Sequence, residues 1–516
     1  MQTKSAGITL FAAIDVGSYE LGLMIAECSR KRGIRVVDHV THRINLGTDT
    51  YTTGKISYAH VAELKRVLAD YRRIMDNYGV TDYRAYGTSA IREMVNSQIV
   101  LTQIEQQTGI HIDVLSNSEQ RFLDYKSIAA KGEGFSRFIE SGTAIVDIGG
   151  SSIQISLFDK DHLILTQNLR MGVLRLYDQL RNIDAGASRR DYVITELIDS
   201  QLTVFKNLYL KDREIRNIIV VDDYISPVLE HYISDRDNPG FTDSPSFDVF
   251  MDDLRSSNPQ DFARRYDVSD DNVPLMYISG MLLSRVLRTT GAGRIWAPGV
   301  TLCDGMIYEF TENRKILPPG HDFEEDIIAC AKNIGRRYMG LEERGRALEN
   351  ISLKIFDSTR TYHGMGGRER LLMRIAALLH DCGKYISMSD SGECSYDIIM
   401  STEIIGLSHL EREIVANVVR YNHSSFVYFA AQEMVTDLDH DSYLTITRLT
   451  AILRIANGLD RSHMQKFQDL KAKVKDGMLV ITVSAEEDLT MERGLFGDRA
   501  DFFEEVYGIR PVIRQR

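Results

Sequence analysis

Cysteine and proline are scarce in this chain, and positive charge falls short of negative. The five cysteines of the 516 residues, Cys28, Cys303, Cys330, Cys382 and Cys394, are odd in number, lie far apart and never pair at two-residue spacing. They suggest neither a disulfide framework nor a zinc ribbon, and a reducing cytoplasm is the simplest setting. Lysine and arginine number 61 against 73 acidic residues, a formal charge of −12. Without a local basic patch, that balance argues against general affinity for nucleic acid or anionic membranes. Long apolar runs are missing too. Ile8 to Ile14 is the only candidate for a targeting segment. It is closed by Asp15, lacks a small-residue cleavage site and falls far short of the roughly 20 residues of a membrane span. A soluble, unexported, cytoplasmic protein is expected.

Apolar residues make up 43% of the chain and charged residues 26%, with only nine prolines. That is ample material for several cores and little for a disordered tail. At roughly 150 residues per domain the length suggests about three domains.

A near-repeat organises the first half. Leu10 to Ile14 runs into Asp15-Val16-Gly17-Ser18-Tyr19-Glu20 and then the apolar Leu21 to Ala26, and Ala144 to Val146 runs into Asp147-Ile148-Gly149-Gly150-Ser151-Ser152 and then Ile153 to Phe158. Strand, Asp-x-Gly turn and strand therefore occur twice, in two hairpin-led α/β halves. Between them, Val61, Leu64, Val67, Leu68, Tyr71, Ile74 and Met75 recur at helical spacing, with Ser57 as N-cap and Gly79 as terminator. Tyr83 to Tyr86 and His111 to Leu115 read as strands flanking a helix that runs from about Asn96 to near Gly109. Leu317-Pro318-Pro319-Gly320 marks a boundary. Helical periodicity then dominates from Phe323 to about Met464, and Asp476-Gly477 signals a hairpin in a small terminal α+β segment. The expected domains are 1–135, 136–318, 319–468 and 469–516.

Two Asp-x-Gly turns can face one another across a cleft, offer backbone N–H groups and hydroxyls to an anion, and hold a divalent cation with their aspartates. One such turn alone is most simply a hairpin; the repetition favours phosphate. Both loops, with Gly87-Thr88-Ser89-Ala90-Ile91-Arg92, Leu115 to Leu123 and Met171-Gly172-Val173-Leu174-Arg175-Leu176, resemble the exopolyphosphatase and guanosine pentaphosphate phosphohydrolase (Ppx/GppA) family. In the second half, Leu379-His380-Asp381-Cys382-Gly383-Lys384, Arg420-Tyr421 and Leu459-Asp460-Arg461-Ser462 resemble the helical HD-type domain of its long members.

The resemblance implies an α/β fold of duplicated actin-like ATPase (ribonuclease H-like) domains, followed by an all-α HD-like domain and a small α+β domain. It also implies hydrolysis of a terminal phosphoanhydride of polyphosphate or guanosine pentaphosphate with Mg2+, in a cleft between the first two domains, by a chain that dimerises through its helical domains. Glu119 matches the glutamate that positions water, and Ser118 could cap its helix, predicted over about 119–131. Asp15 and Asp147 match the cation ligands, Arg92 a phosphate clamp, and Gly17, Ser18, Gly149, Gly150 and Ser151 the phosphate loops. His380, Asp381 and Asp460 fit three positions of a possible second, HD-type metal site.

The chain also departs from the family pattern. Ser151 stands for a glycine and Gln154 for a glutamate in the second loop. Asn117-Ser118-Glu119-Gln120-Arg121 replaces a glutamate-rich run, and Arg344 stands at the first HD histidine position. These departures support an alternative: a sensor of the same family that binds a phosphate chain or nucleotide, turns over poorly and acts through a partner. A third reading places chemistry at His380 and Asp381.

Overall fold

The computed structural model describes residues 7–160, 162–183, 189–233, 240–429, 438–467, 469–484 and 488–515. Its backbone divides into two units, Met1–Asp322 and Phe323–Arg516.

In the first unit, apolar runs on either side of a tight turn make the hairpin of β1 (Thr9–Val16) and β2 (Glu20–Ser29), and β3 (Gly33–Arg43) continues it antiparallel. β4 (Asp82–Gly87) adds to β1 in parallel and the two-residue β5 (Asp113–Val114) adds to β4, giving the order β3-β2-β1-β4-β5. The predicted strand at His111 to Leu115 is thus shorter than its apolar pattern suggested. Period-two alternation sends the two faces of β1 into different cores. Ala12, Ile14 and Val16 pack with Leu64, Leu68 and Tyr71 of the helix Tyr58–Tyr78. Phe11 and Ala13 pack with Leu302, Met306 and Phe310. The long helix starts at the Ser57 cap and stops at Gly79, whose φ of 71° suits glycine.

The second sheet has the order β10-β11-β9-β6-β7-β8, in which β6 (Thr143–Ile148), β7 (Ile153–Asp159) and β8 (His162–Leu169) form an antiparallel meander. β9 (Asn217–Asp222) joins β6 in parallel, β11 (Arg294–Trp296) joins β9 in parallel, and β10 (Phe241–Asp243) is antiparallel at the edge. β6 and β9 are buried along their whole length, as expected of strands covered on both faces.

One element departs from the expected boundaries. The helix Leu302–Asn313, assigned by sequence order to 136–318, packs on the first sheet, where the Cys303 thiol lies 3.7 Å from the Ala13 carbonyl. Gly305 is required there, because a side chain would collide with the Leu123 carbonyl.

The second unit is helical over most of its length. Helices Phe323–Arg337, Glu342–Ser358, Gly367–Leu379, Ser391–Ser401, His409–His423 and His440–Leu459 precede a three-stranded sheet, β12-β13-β14 (Lys471–Lys475, Met478–Val483, Arg510–Gln515). Asp476 and Gly477 have φ values of 51° and 71° between β12 and β13, as a two-residue hairpin turn requires. Among the described residues no helix is long and apolar enough to cross a membrane.

Candidate active site

Both Asp-x-Gly loops are built the same way. The Gly17 N–H donates to the Glu20 carbonyl at 3.0 Å, and the Gly149 N–H donates to the Ser152 carbonyl at 3.0 Å. A Cβ on Gly17 would stand 2.6 Å from that Glu20 oxygen, so the first turn closes only with glycine. The loops share one cavity of about 110 Å3, whose wall includes Asp15, Gly17, Ser18, Gly149, Gly150 and Ser151. The Ser18 hydroxyl lies 2.8 Å from those of Ser89 and Tyr51, which are 2.9 Å from each other. Such a hydroxyl cluster can re-orient its protons toward an anion. The helix Val173–Asn182 steadies the second loop, with Val173 N–H donating to Gly149 and Leu174 N–H to Gly150. Arg175 Nε donates to the Ser151 carbonyl at 3.1 Å.

The helix Asn117–Ala129 brings the next residues in, two residues out of the expected register. Its N-cap is Ser116, not Ser118. The Ser116 hydroxyl accepts from the Glu119 N–H, and the Glu119 carboxylate accepts from the Ser116 N–H at 2.9 Å, closing a capping box. Glu119 is therefore turned to the cap and does not line the cavity; Gln120 and Arg121 do. The Ser-x-x-Glu spacing from Ser116 was the available signal. Arg92 also stands elsewhere than expected. Its guanidinium donates to the Leu115 carbonyl at 2.5 Å and to Asn117 Oδ1 at 2.6 Å, so it fixes the entry to this helix rather than the cavity wall.

Arg121 is the dominant charge. It is buried, its Nη1 is ion-paired with Asp147, and Asp124 lies 3.7 Å away. Burial first, then Asp147, pushes Asp124 well above the usual carboxylate range. Burial, reinforced by Asp223 and Glu20, does the same to Asp15, whose Oδ1 has no hydrogen-bond partner among the described residues. Asp223 opens onto the cavity, and the surrounding protein, Asp222 and Glu20 push it up to about 7. Gln120 and Gln154 each have a buried amide oxygen without a partner among the described residues.

The donor set does not fit the expected Mg2+. That ion takes hard oxygens in near-octahedral order, with one or two free carboxylates from the protein beside waters and phosphate. Here Asp147 is engaged by the Arg121 guanidinium, and Gln154 offers an amide in place of a carboxylate. Among the described residues no three His, Cys, Asp or Glu side chains are arranged to hold a metal.

The second expected metal site is filled in a similar way. His380, Asp381 and Asp460 do come together, but around Arg344. That guanidinium pairs with Asp381, lies 3.5 Å from Asp460 and donates to Asn457 Oδ1 at 2.8 Å. His380, Lys384 and His423 also lie against Asp381, at 3.1, 2.8 and 3.4 Å. Burial opposes its charge, yet His380, His423 and Arg344 hold it well below the usual range.

Comparison with known proteins supplies the class. A model of the Ppx/GppA phosphatase family matches residues 24–220, and a model of Ppx/GppA phosphatase domain III matches residues 329–498. The chain belongs to the Ppx/GppA phosphatase family. It stands thereby among hydrolases. A guanosine-5'-triphosphate,3'-diphosphate pyrophosphatase of Photobacterium profundum is 19% identical over 489 residues, covering 92% of each chain. Exopolyphosphatase 1 of Mycobacterium leprae is 25% identical over 191 residues, 37% of this chain and 55% of that one. Among solved structures, an exopolyphosphatase from Cytophaga hutchinsonii matches with a TM-score of 0.51 and 16% identity, over 59% of this chain and 98% of that one. This likeness is one of fold.

Proposed function

We propose that the cavity between the two Asp-x-Gly loops takes the end of a phosphate chain, from polyphosphate or guanosine pentaphosphate, and that water attack there releases the terminal phosphate. The observation that carries this reading is the convergence of Gly17, Ser18, Gly149, Gly150 and Ser151 on one cavity with a guanidinium in its wall. The names of the relatives support the substrate class. Loop N–H groups, serine hydroxyls and Arg121 would share the phosphate oxygens and stabilise the charge that develops on them. The Gln120 amide oxygen would accept a hydrogen bond from the attacking water and orient it. Asp223, held near neutrality, would take its proton, since a base works best when its affinity for protons matches the operating pH.

Phosphate release is measured from polyphosphates of several lengths and from guanosine pentaphosphate. Release from at least one is expected, and Asp223→Asn should lower it by about a hundredfold. A folded protein that binds these compounds and releases nothing would replace this reading with a second one. In that reading the same cavity holds the anion as a binding site with little turnover. The neutral amides of Gln120 and Gln154, at positions where the family pattern has acids, favour it.

A further inference from the structure

The cavity contains a permanent positive charge at the place where a metal was expected. Arg121 is only 5% exposed, and burying a guanidinium is costly unless its charge and its N–H donors are matched. The match is incomplete. Nη1 is taken by Asp147, but Nε is buried and has no hydrogen-bond partner among the described residues. The planar fork lies beside the second loop: a Cβ built on Gly149 would be 3.4 Å from Nη2. The guanidinium is thus within van der Waals reach of the loop backbone at position 149. A charged donor set aimed past one carboxylate, toward glycine-lined space and with an N–H unused, is half of a bidentate oxyanion clamp.

The surrounding substitutions agree in sign. Gln120 and Gln154 are neutral, and the Arg121 guanidinium is ion-paired with Asp147. Carboxylates at 120 and 154 would instead draw Arg121 away from an incoming anion.

We propose that Arg121 is the resident cation of this cavity, lying against Asp147 in place of a divalent metal and contacting the terminal phosphate directly, so that phosphate chains bind without metal. The inference rests on the reading that the cavity binds phosphate chains, whether or not it hydrolyses them.

The test is calorimetric titration of the full chain with inorganic tripolyphosphate, in EDTA and again with excess Mg2+. The wild type is expected to bind in EDTA, with an affinity within about threefold of that in Mg2+. Arg121→Ala/Asp147→Asn removes the pair together, leaves no buried charge unmatched between them, and should weaken binding in EDTA by about tenfold to a hundredfold. Arg121→Ala alone keeps Asp147 and should bind Mn2+, followed by electron paramagnetic resonance, where the wild type does not. If that variant does not fold, Arg121→Lys serves instead. It keeps the charge but loses the fork, and should still bind in EDTA more weakly than the wild type. Wild-type binding that appears only with Mg2+ would overturn the proposal and leave the phosphate reading standing. Binding in neither condition would overturn both. Undiminished binding by the double variant in EDTA would remove Arg121 from the site.

Discussion

At the scale of single residues, the site is governed by carboxyls that burial pushes toward neutrality, and this has a consequence for stability. Asp223 is raised to about 7 and Asp222 to about 6, in both cases chiefly by burial, with Asp222 adding to the effect on Asp223. A carboxyl whose folded value exceeds its unfolded one keeps its proton longer in the native state. Its favourable contribution is present below about pH 4 and is lost as pH rises through 6 to 7. Denaturant titrations at pH 4.5, 6 and 7.5 should show this decline, and Asp223→Asn should flatten it. A decline of equal size in that variant would count against Asp223 as its source. Gln120 and Arg121 were visible in the sequence as departures from a glutamate-rich run. Their position in the wall was not, because which side of a helix faces a cavity depends on where its first turn is capped.

At the scale of elements, the helix Asn117–Ala129 shows how a cap decides a site. With Ser118 as N-cap, Glu119 would be a first-turn acid available to water; with Ser116 as N-cap, Glu119 is the third residue and its carboxylate closes the box. Glutamine serves this position as glutamate does. Glu119→Gln is therefore expected to leave phosphate release within about threefold of the wild type, whereas Ser116→Ala should cost about 1 kcal/mol of stability in the first unit. Abolition of release by Glu119→Gln in a folded protein would return that residue to the cavity. Other elements were well marked in the sequence. Ser57 and Gly79 bound their helix, Asn96 and Gly109 bound Ser97–Thr108, and Asp476-Gly477 makes the hairpin. β5 is shorter than the His111 to Leu115 run because Ile110, Ile112 and Leu115 pack into cores without forming ladder bonds along it.

At the scale of the whole molecule, the helix Leu302–Asn313 closes the first sheet from almost 300 residues downstream of β1. Cutting the chain after position 300 would uncover Phe11, Met24 and Leu123, which pack with Leu302, Met306 and Phe310. Each large side chain left exposed forfeits about 1.5–3 kcal/mol. That truncation is expected to be insoluble or unfolded, while one ending at Asp322 keeps the helix and should show a cooperative melt by circular dichroism. A folded product from the shorter chain would show that this face needs no cover. The sequence by itself determined the elements that depend on near neighbours: the apolar runs that make β1, β2, β6 and β7, the glycine-closed Asp-x-Gly turns, and the helical stripes with their caps. It also carried the family resemblance, because those loops have a recognisable spelling. Only the tertiary structure decided which helix covers which sheet, and that Arg121 and Arg344 lie among carboxylates where metals were expected. Local propensity acts over a turn or two of chain, whereas charge pairing and burial act between residues that only the fold brings together.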